Sequence, residues 1–137
     1  MSQEQTPHWQ PVSFLPQIAE MIDGMLESAA ENHRLLQQAR PGSLDDATVE
    51  RVVRVYTTQR DDLRLYIDQL SRWEKEPLDE KQSREVARLQ QQLDRLRRVL
   101  SDVLVLAEKL KELTIERLLS RSDAEIGLDF LLGKLRF

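Results

Sequence analysis

The sequence predicts an all-α protein, an elongated antiparallel three-helix bundle with a long third helix, followed by a short C-terminal fourth helix. Three observations predict it. Apolar residues recur at alternating three- and four-residue steps through three long stretches, the spacing that lines one face of a helix. Proline, glycine and capping residues cluster between those stretches. Aromatic residues fill only 5% of the 137 positions, so the core is leucine, valine and isoleucine, and a chain of this length buries roughly two-thirds of its unfolded surface.

Residues 1–12 contain Pro7, His8, Trp9 and Pro11 without a period and read as an extended arm, which the indole of Trp9 can anchor on a bundle end. Residues 13–137 read as one helical-bundle domain. The first helix is expected at about 14–39, with Ser13 as N-cap and Pro16 in the first turn. Leu15, Ile18, Ile22, Met25, Ala29 and Leu36 form its stripe. Phe14, Ala19, Met21 and Leu26 widen that stripe, as if more than one neighbour covers it, until Asn32 and His33 interrupt it.

Arg40-Pro41-Gly42-Ser43 is a stop, turn and restart, and Ser43 with Asp46 resembles a weak capping box opening a second helix at about 44–75. Its inner positions are Val49, Val52, Val53, Tyr56, Leu63, Tyr66, Ile67, Leu70 and Trp73, with Gln59 and Arg60 breaking the run near the middle. Pro77 ends it. Asp79 and Gln82 then cap a third helix at about 79–120, which has no Gly or Pro inside it. Its seam runs through Val86, Leu89, Leu93, Leu96, Leu100, Val103, Ala107 and Leu110. Ser122-Asp123-Ala124-Glu125 is a capping box for a fourth helix at about 123–135. Gly127 and Gly133 cost it about 1 kcal/mol each, so it must be docked. In length and plan, region 13–120 is similar to spectrin-type repeats, although no motif is shared.

At ~1.5 Å per residue the first two helices are roughly 39 and 48 Å long and the third roughly 63 Å, so the third projects past the start of the second. The projection carries Leu110, Leu113, Ile115, Leu118 and Leu119; the fourth helix adds Leu128, Phe130, Leu131 and Leu135. Burying each is worth about 1.5–3 kcal/mol, and together they exceed what one chain can cover. The expected consequence is an interface in the C-terminal third, formed in a homodimer or with an obligate protein partner. A fourth helix that plugs the bundle end and leaves a monomer is the alternative.

Charge is unevenly spread: residues 1–50 carry two basic and eight acidic groups, residues 51–98 twelve basic and nine acidic. Glu20, Asp23, Glu27 and Glu31 lie at helical spacing and are expected to meet a basic helix of the same chain. The chemistry of a site is sparse. His8 and His33 without cysteine exclude the usual zinc sites, and no paired Glu-x-x-His occurs. Asp45 with Asp46, or Asp61 with Asp62, are adjacent on a helix and point apart, so no metal or other cofactor is expected. There is no Gly-x-Ser-x-Gly elbow and no Gly-rich phosphate loop. Around His33, the residues Asn32, Arg34 and Leu35 lack the lysine and glycine of a phosphotransfer domain.

Gln59 and Arg60 are the seam residues able to contact an anionic ligand, as seam arginines and a glutamine do in some helical-bundle enzymes such as chorismate mutases. Arg95, Arg97 and Arg98 form a small basic group beside Asp94 without interleaved aromatics, so nucleic acid is not an expected partner. Asp123, Glu125 and Asp129 oppose an anionic leaflet, so neither is a membrane; a small molecule is not expected either. No stretch approaches the ~18 apolar residues of a span, Met1-Ser2-Gln3-Glu4 has no basic n-region, and the expected compartment is cytoplasmic. The sequence therefore reads as a non-catalytic helical assembly module that self-associates through its C-terminal third. The alternative is a small helical-bundle enzyme or anionic-ligand-binding protein using Gln59 and Arg60.

Overall fold

A computed structural model describes residues 8–120 of the chain. These form an all-α bundle of three long helices, α1 (Leu15–Gln37), α2 (Asp46–Glu74) and α3 (Glu80–Leu110), with a short α4 (Ile115–Leu119). Single 3₁₀ turns precede α1 (Val12–Phe14) and follow α3 (Lys111–Leu113). The fourth helix expected at 123–135, with Leu128, Phe130, Leu131 and Leu135, lies outside the described residues.

α3 is the central element, and α1 and α2 both pack closely along it. Its seam residues Val86, Leu89, Leu93, Leu96, Leu100, Val103, Ala107 and Leu110 are all buried, at the three- and four-residue steps that keep them on one stripe. α1 brings Leu15, Ala19, Ile22 and Ala29 to that stripe, and α2 brings Tyr56, Leu63, Leu70 and Trp73. A second cluster of Val49, Ala107 and Leu110 closes the end formed by the α1–α2 connection, with Leu36, Ala39 and Leu44 packed against it.

The caps differ in detail from the sequence expectations. Ser13 lies inside the first 3₁₀ turn and Phe14 occupies the N-cap of α1 without a side-chain cap. Ser43 closes its own turn instead, accepting from the Arg40 N–H at 3.1 Å and donating to the Arg40 carbonyl at 2.7 Å. The N-cap of α2 is Asp45, whose carboxylate accepts from the Thr48 N–H at 2.8 Å. Asp79 and Gln82 form a reciprocal capping box at the start of α3.

The third helix does not run to residue 120. It ends at Leu110, and the chain passes through a 3₁₀ turn to an extended Thr114 with ψ 158°. α3 is therefore 31 residues against 29 for α2, roughly 47 and 44 Å, and the projection expected of a longer helix does not form. At the other end, the arm is tied down from His8 onward. The Trp73 indole N–H donates to the Gln10 carbonyl at 2.8 Å, and the Gln10 N–H donates to Gln69 Oε1 at 2.7 Å.

The expected neutralisation of the acidic first helix is carried by one residue. Arg88 of α3 forks onto Asp23 of α1 at 3.0 and 2.8 Å, and Gln92 donates to the same carboxylate at 3.2 Å. Glu31 pairs within its own helix with Arg34. The hydrogen bond from Arg88 holds the Asp23 carboxyl below its ordinary value.

Two predictions follow from the packing. Leu96→Ala removes a fully buried side chain from the shared seam and lowers stability by about 2–5 kcal/mol in urea unfolding. The lowered Asp23 carboxyl adds stability above its unfolded value near 3.8 that is lost as pH falls through the folded value. Asp23→Asn removes that contribution, so the urea midpoints of variant and parent differ at pH 7 and converge as pH falls below 3.8.

Candidate interaction surfaces

The C-terminal residues expected to form an interface divide into two groups. Leu110 and Leu113 are buried within the chain itself and are not available to a partner. Leu110 belongs to the cluster with Val49 and Ala107. The cause is the break after α3, which turns the chain back over the start of α2. The Gly42 N–H donates to the Leu113 carbonyl and the Ile115 N–H to the Leu44 carbonyl, both at 2.8 Å. Between them Thr114 is fully buried, and its hydroxyl donates to Asp46 Oδ1 at 2.6 Å. Glu116 Oε1 accepts from the Asp46 N–H at 3.0 Å, adding a carboxylate at the positive end of α2.

Gly42 makes this closure possible. Its φ of +78° is a conformation that L side chains rarely adopt, and a Cβ there would lie 3.4 Å from Leu118 Cδ1. Leu118 is accordingly half-buried, whereas Ile115 and Leu119 remain exposed, Leu119 at 79%. Of the predicted interface residues described here, only these last two present substantial apolar surface.

Gln59 and Arg60 are separated by the helix rotation of about 100° per residue. Arg60 is exposed and does not enter the seam; it borders a shallow groove of about 550 Å³ with Ser101, Leu104, Val105, Glu108 and Lys109. Gln59 is the inward residue, half-buried, with a buried Oε1 that has no hydrogen-bond partner. The nearby polar contact is between α1 and α2, where the Asn32 amide donates to the Tyr56 hydroxyl. Tyr66 continues this side of α2, its phenol pushed up by burial and by the charge of Asp62. The structure therefore does not join Gln59 and Arg60 into one ligand site. Among the described residues no group of three or more His, Cys, Asp or Glu side chains converges as a metal site.

The basic group on α3 is internally occupied. Arg97 and Arg98 both pair with Asp94, at 2.8 and 3.2 Å, and Arg95 donates to Gln92. No described helix is long and apolar enough to cross a membrane.

An exposed apolar line emerges on α1, and it includes Phe14 and Met21, which were expected under a neighbour. Phe14, Met21 and Leu35, separated by multiples of seven residues, are 42%, 50% and 49% exposed. Each precedes a position of the inward stripe, Leu15, Ile22 and Leu36, so the line is rotated off the core by one residue. Asp23, held by Arg88, marks the flank of α1 that faces α3; Asn32, bonded to Tyr56, marks the flank that faces α2. The exposed line lies on the α2 flank, and Val55 of α2, next to Tyr56, is 41% exposed. The sequence signal was present as the widened stripe, but periodicity does not say whether a neighbour covers it.

Compared with known proteins, the chain matches no family model, no curated protein and no solved structure. The geometry alone carries the functional reading.

The closure over α2 generates a test. Thr114→Val keeps the shape but removes the hydroxyl donor to Asp46 and the cap on the Arg117 N–H, and lowers stability by about 1–2 kcal/mol in chemical denaturation.

Proposed function

We propose that the chain is a non-catalytic helical interaction module that forms a two-fold homodimer along the lateral stripe of α1. The observation that carries this reading is the heptad-spaced line of half-exposed Phe14, Met21 and Leu35, the spacing of a coiled-coil seam. The line is also self-complementary. Ser28 stands seven residues from both Met21 and Leu35. Two antiparallel α1 helices crossing at Ser28 therefore set Met21 of each copy against Leu35 of the other, the reciprocity that a two-fold interface requires.

The centre of that crossing is small. Ser28 is exposed, and a Cβ added at Gly24, one turn before it, would meet nothing within 4 Å. Helices approach closely where side chains are short, and larger apolar groups on either side fill the space as they diverge. Glu31, exposed beside the line and paired with Arg34, supplies a polar rim. Among the described residues, Ile115 and Leu119 form a separate apolar patch at the bundle end. A chain without cysteine suits a reducing compartment, and we place its action in the cytoplasm.

Sedimentation at tens of micromolar tests the reading. The parent chain sediments as a dimer, and the double variant Met21→Glu with Leu35→Glu sediments as a monomer with unchanged helicity by circular dichroism. Leu119→Glu leaves the dimer intact. A monomeric parent, or a dimer lost through Leu119→Glu and not through the α1 pair, overturns the proposal.

A further inference from the structure

The last turns of α2 hold a polar surface separate from the α1 stripe. Gln69 and Trp73 are four residues apart and share a face at the end of the bundle, where Gln69 is only 6% exposed and Trp73 is fully buried. Both carry polar groups that burial obliges to find partners. Neither finds them within the helices. The Trp73 indole N–H and the Gln69 amide N–H both donate to the Gln10 carbonyl, at 2.8 and 3.4 Å, while Gln69 Oε1 accepts from the Gln10 N–H at 2.7 Å.

The side-chain amide of Gln69 thus reads one residue of another segment through both of its main-chain groups, as a neighbouring strand would. The identity of that residue goes unread, because the Gln10 side chain turns away and donates to the His8 carbonyl at 3.4 Å. The residue before it supplies the selectivity. The Arg72 guanidinium lies over the Trp9 ring, 4.0 Å from its centroid, a cation–π contact that any large aromatic can make. Pro11 follows in extended conformation, with φ −67° and ψ 157°, and is exposed. A shallow groove of about 550 Å³ continues along Asp68, Ser71, Arg72, Lys75 and Glu76.

We propose that Gln69, Arg72 and Trp73 form a receptor for an extended peptide that carries a large aromatic residue just before the bonded main-chain pair, occupied in cis by Trp9-Gln10 and open to a partner segment of the same chemistry when the arm is released. The arm is then a built-in competitor: it satisfies the buried polar groups of α2 when no partner is present, and it weakens partner binding by the fraction of time it occupies the site.

The test uses a fluorescently labelled, end-blocked peptide spanning residues 8–14 and the full chain. Trp9→Ala loosens the arm without touching the receptor, so this variant binds the peptide at least tenfold more tightly than the parent chain. Replacing Gln10 in the peptide by Ala leaves binding unchanged, because its side chain is not read. Replacing it by Pro removes the N–H and lowers binding at least tenfold. Gln69→Leu in the Trp9→Ala chain has the same effect, with circular dichroism checking the fold. Equal binding by parent and Trp9→Ala chains, or an Ala peptide that binds as poorly as the Pro peptide, overturns the proposal. The readout is peptide affinity, so it stands or falls separately from the oligomeric state.

Discussion

The unbroken apolar seam of α3 is the constraint on which the rest of the bundle depends. Its eight buried positions serve two partners at once, and Leu89, Leu96, Leu100 and Val103 have no exposure at all. Close-packed side chains that are shared in this way fix the lateral positions of α1 and α2 together. They also set the limit of burial. A third helix that gathers both neighbours onto itself leaves each neighbour with an outer flank, and the line of Phe14, Met21 and Leu35 is that flank on α1.

The ends of the bundle are held by a different physics. Apolar stripes give out where helices end, and main-chain groups freed there must be bonded if they are buried. At one end the connection between α1 and α2 exchanges main-chain hydrogen bonds with Leu113 and Ile115, and Thr114 reaches the first turn of α2. At the other, Gln69 and Trp73 capture the main chain of Gln10. Both ties join a non-helical residue to a helix end, and both hold the chain down where the apolar stripes run out.

Charge contributes little to this architecture. The ion pairs of Glu31 with Arg34, Glu80 with Arg84, and Asp94 with Arg97 and Arg98 all lie within single helices and are well exposed. Such pairs support local helix formation by a few tenths of a kcal/mol. Asp23 with Arg88 is the ion pair between helices among the described residues, and it fixes which flank of α1 faces α3. The remaining flank is thereby turned toward solvent.

The three long helices were legible in the sequence because their determinants are local: a 3.6-residue period, the proline and glycine between segments, and the Asp79 and Gln82 box within one turn. The end of α3 was not. Lys111 to Ile115 contains neither glycine nor proline, and helix is a permitted state for each residue. What selects the break are partners for Thr114 and Glu116 that lie 68 and 70 residues away, at Asp46. The same holds for the sites. Sequence alone placed Gln59 and Arg60 near one seam, and it placed Phe14 and Met21 under a neighbour; a rotation of about 100° per residue separates inside from outside, and only packing sets its origin. The sequence by itself determined which segments are helical and which stripe of each is apolar. Tertiary structure decided where the last helix stops and which stripes are covered, because both depend on hydrogen bonds and contacts between residues far apart in the chain.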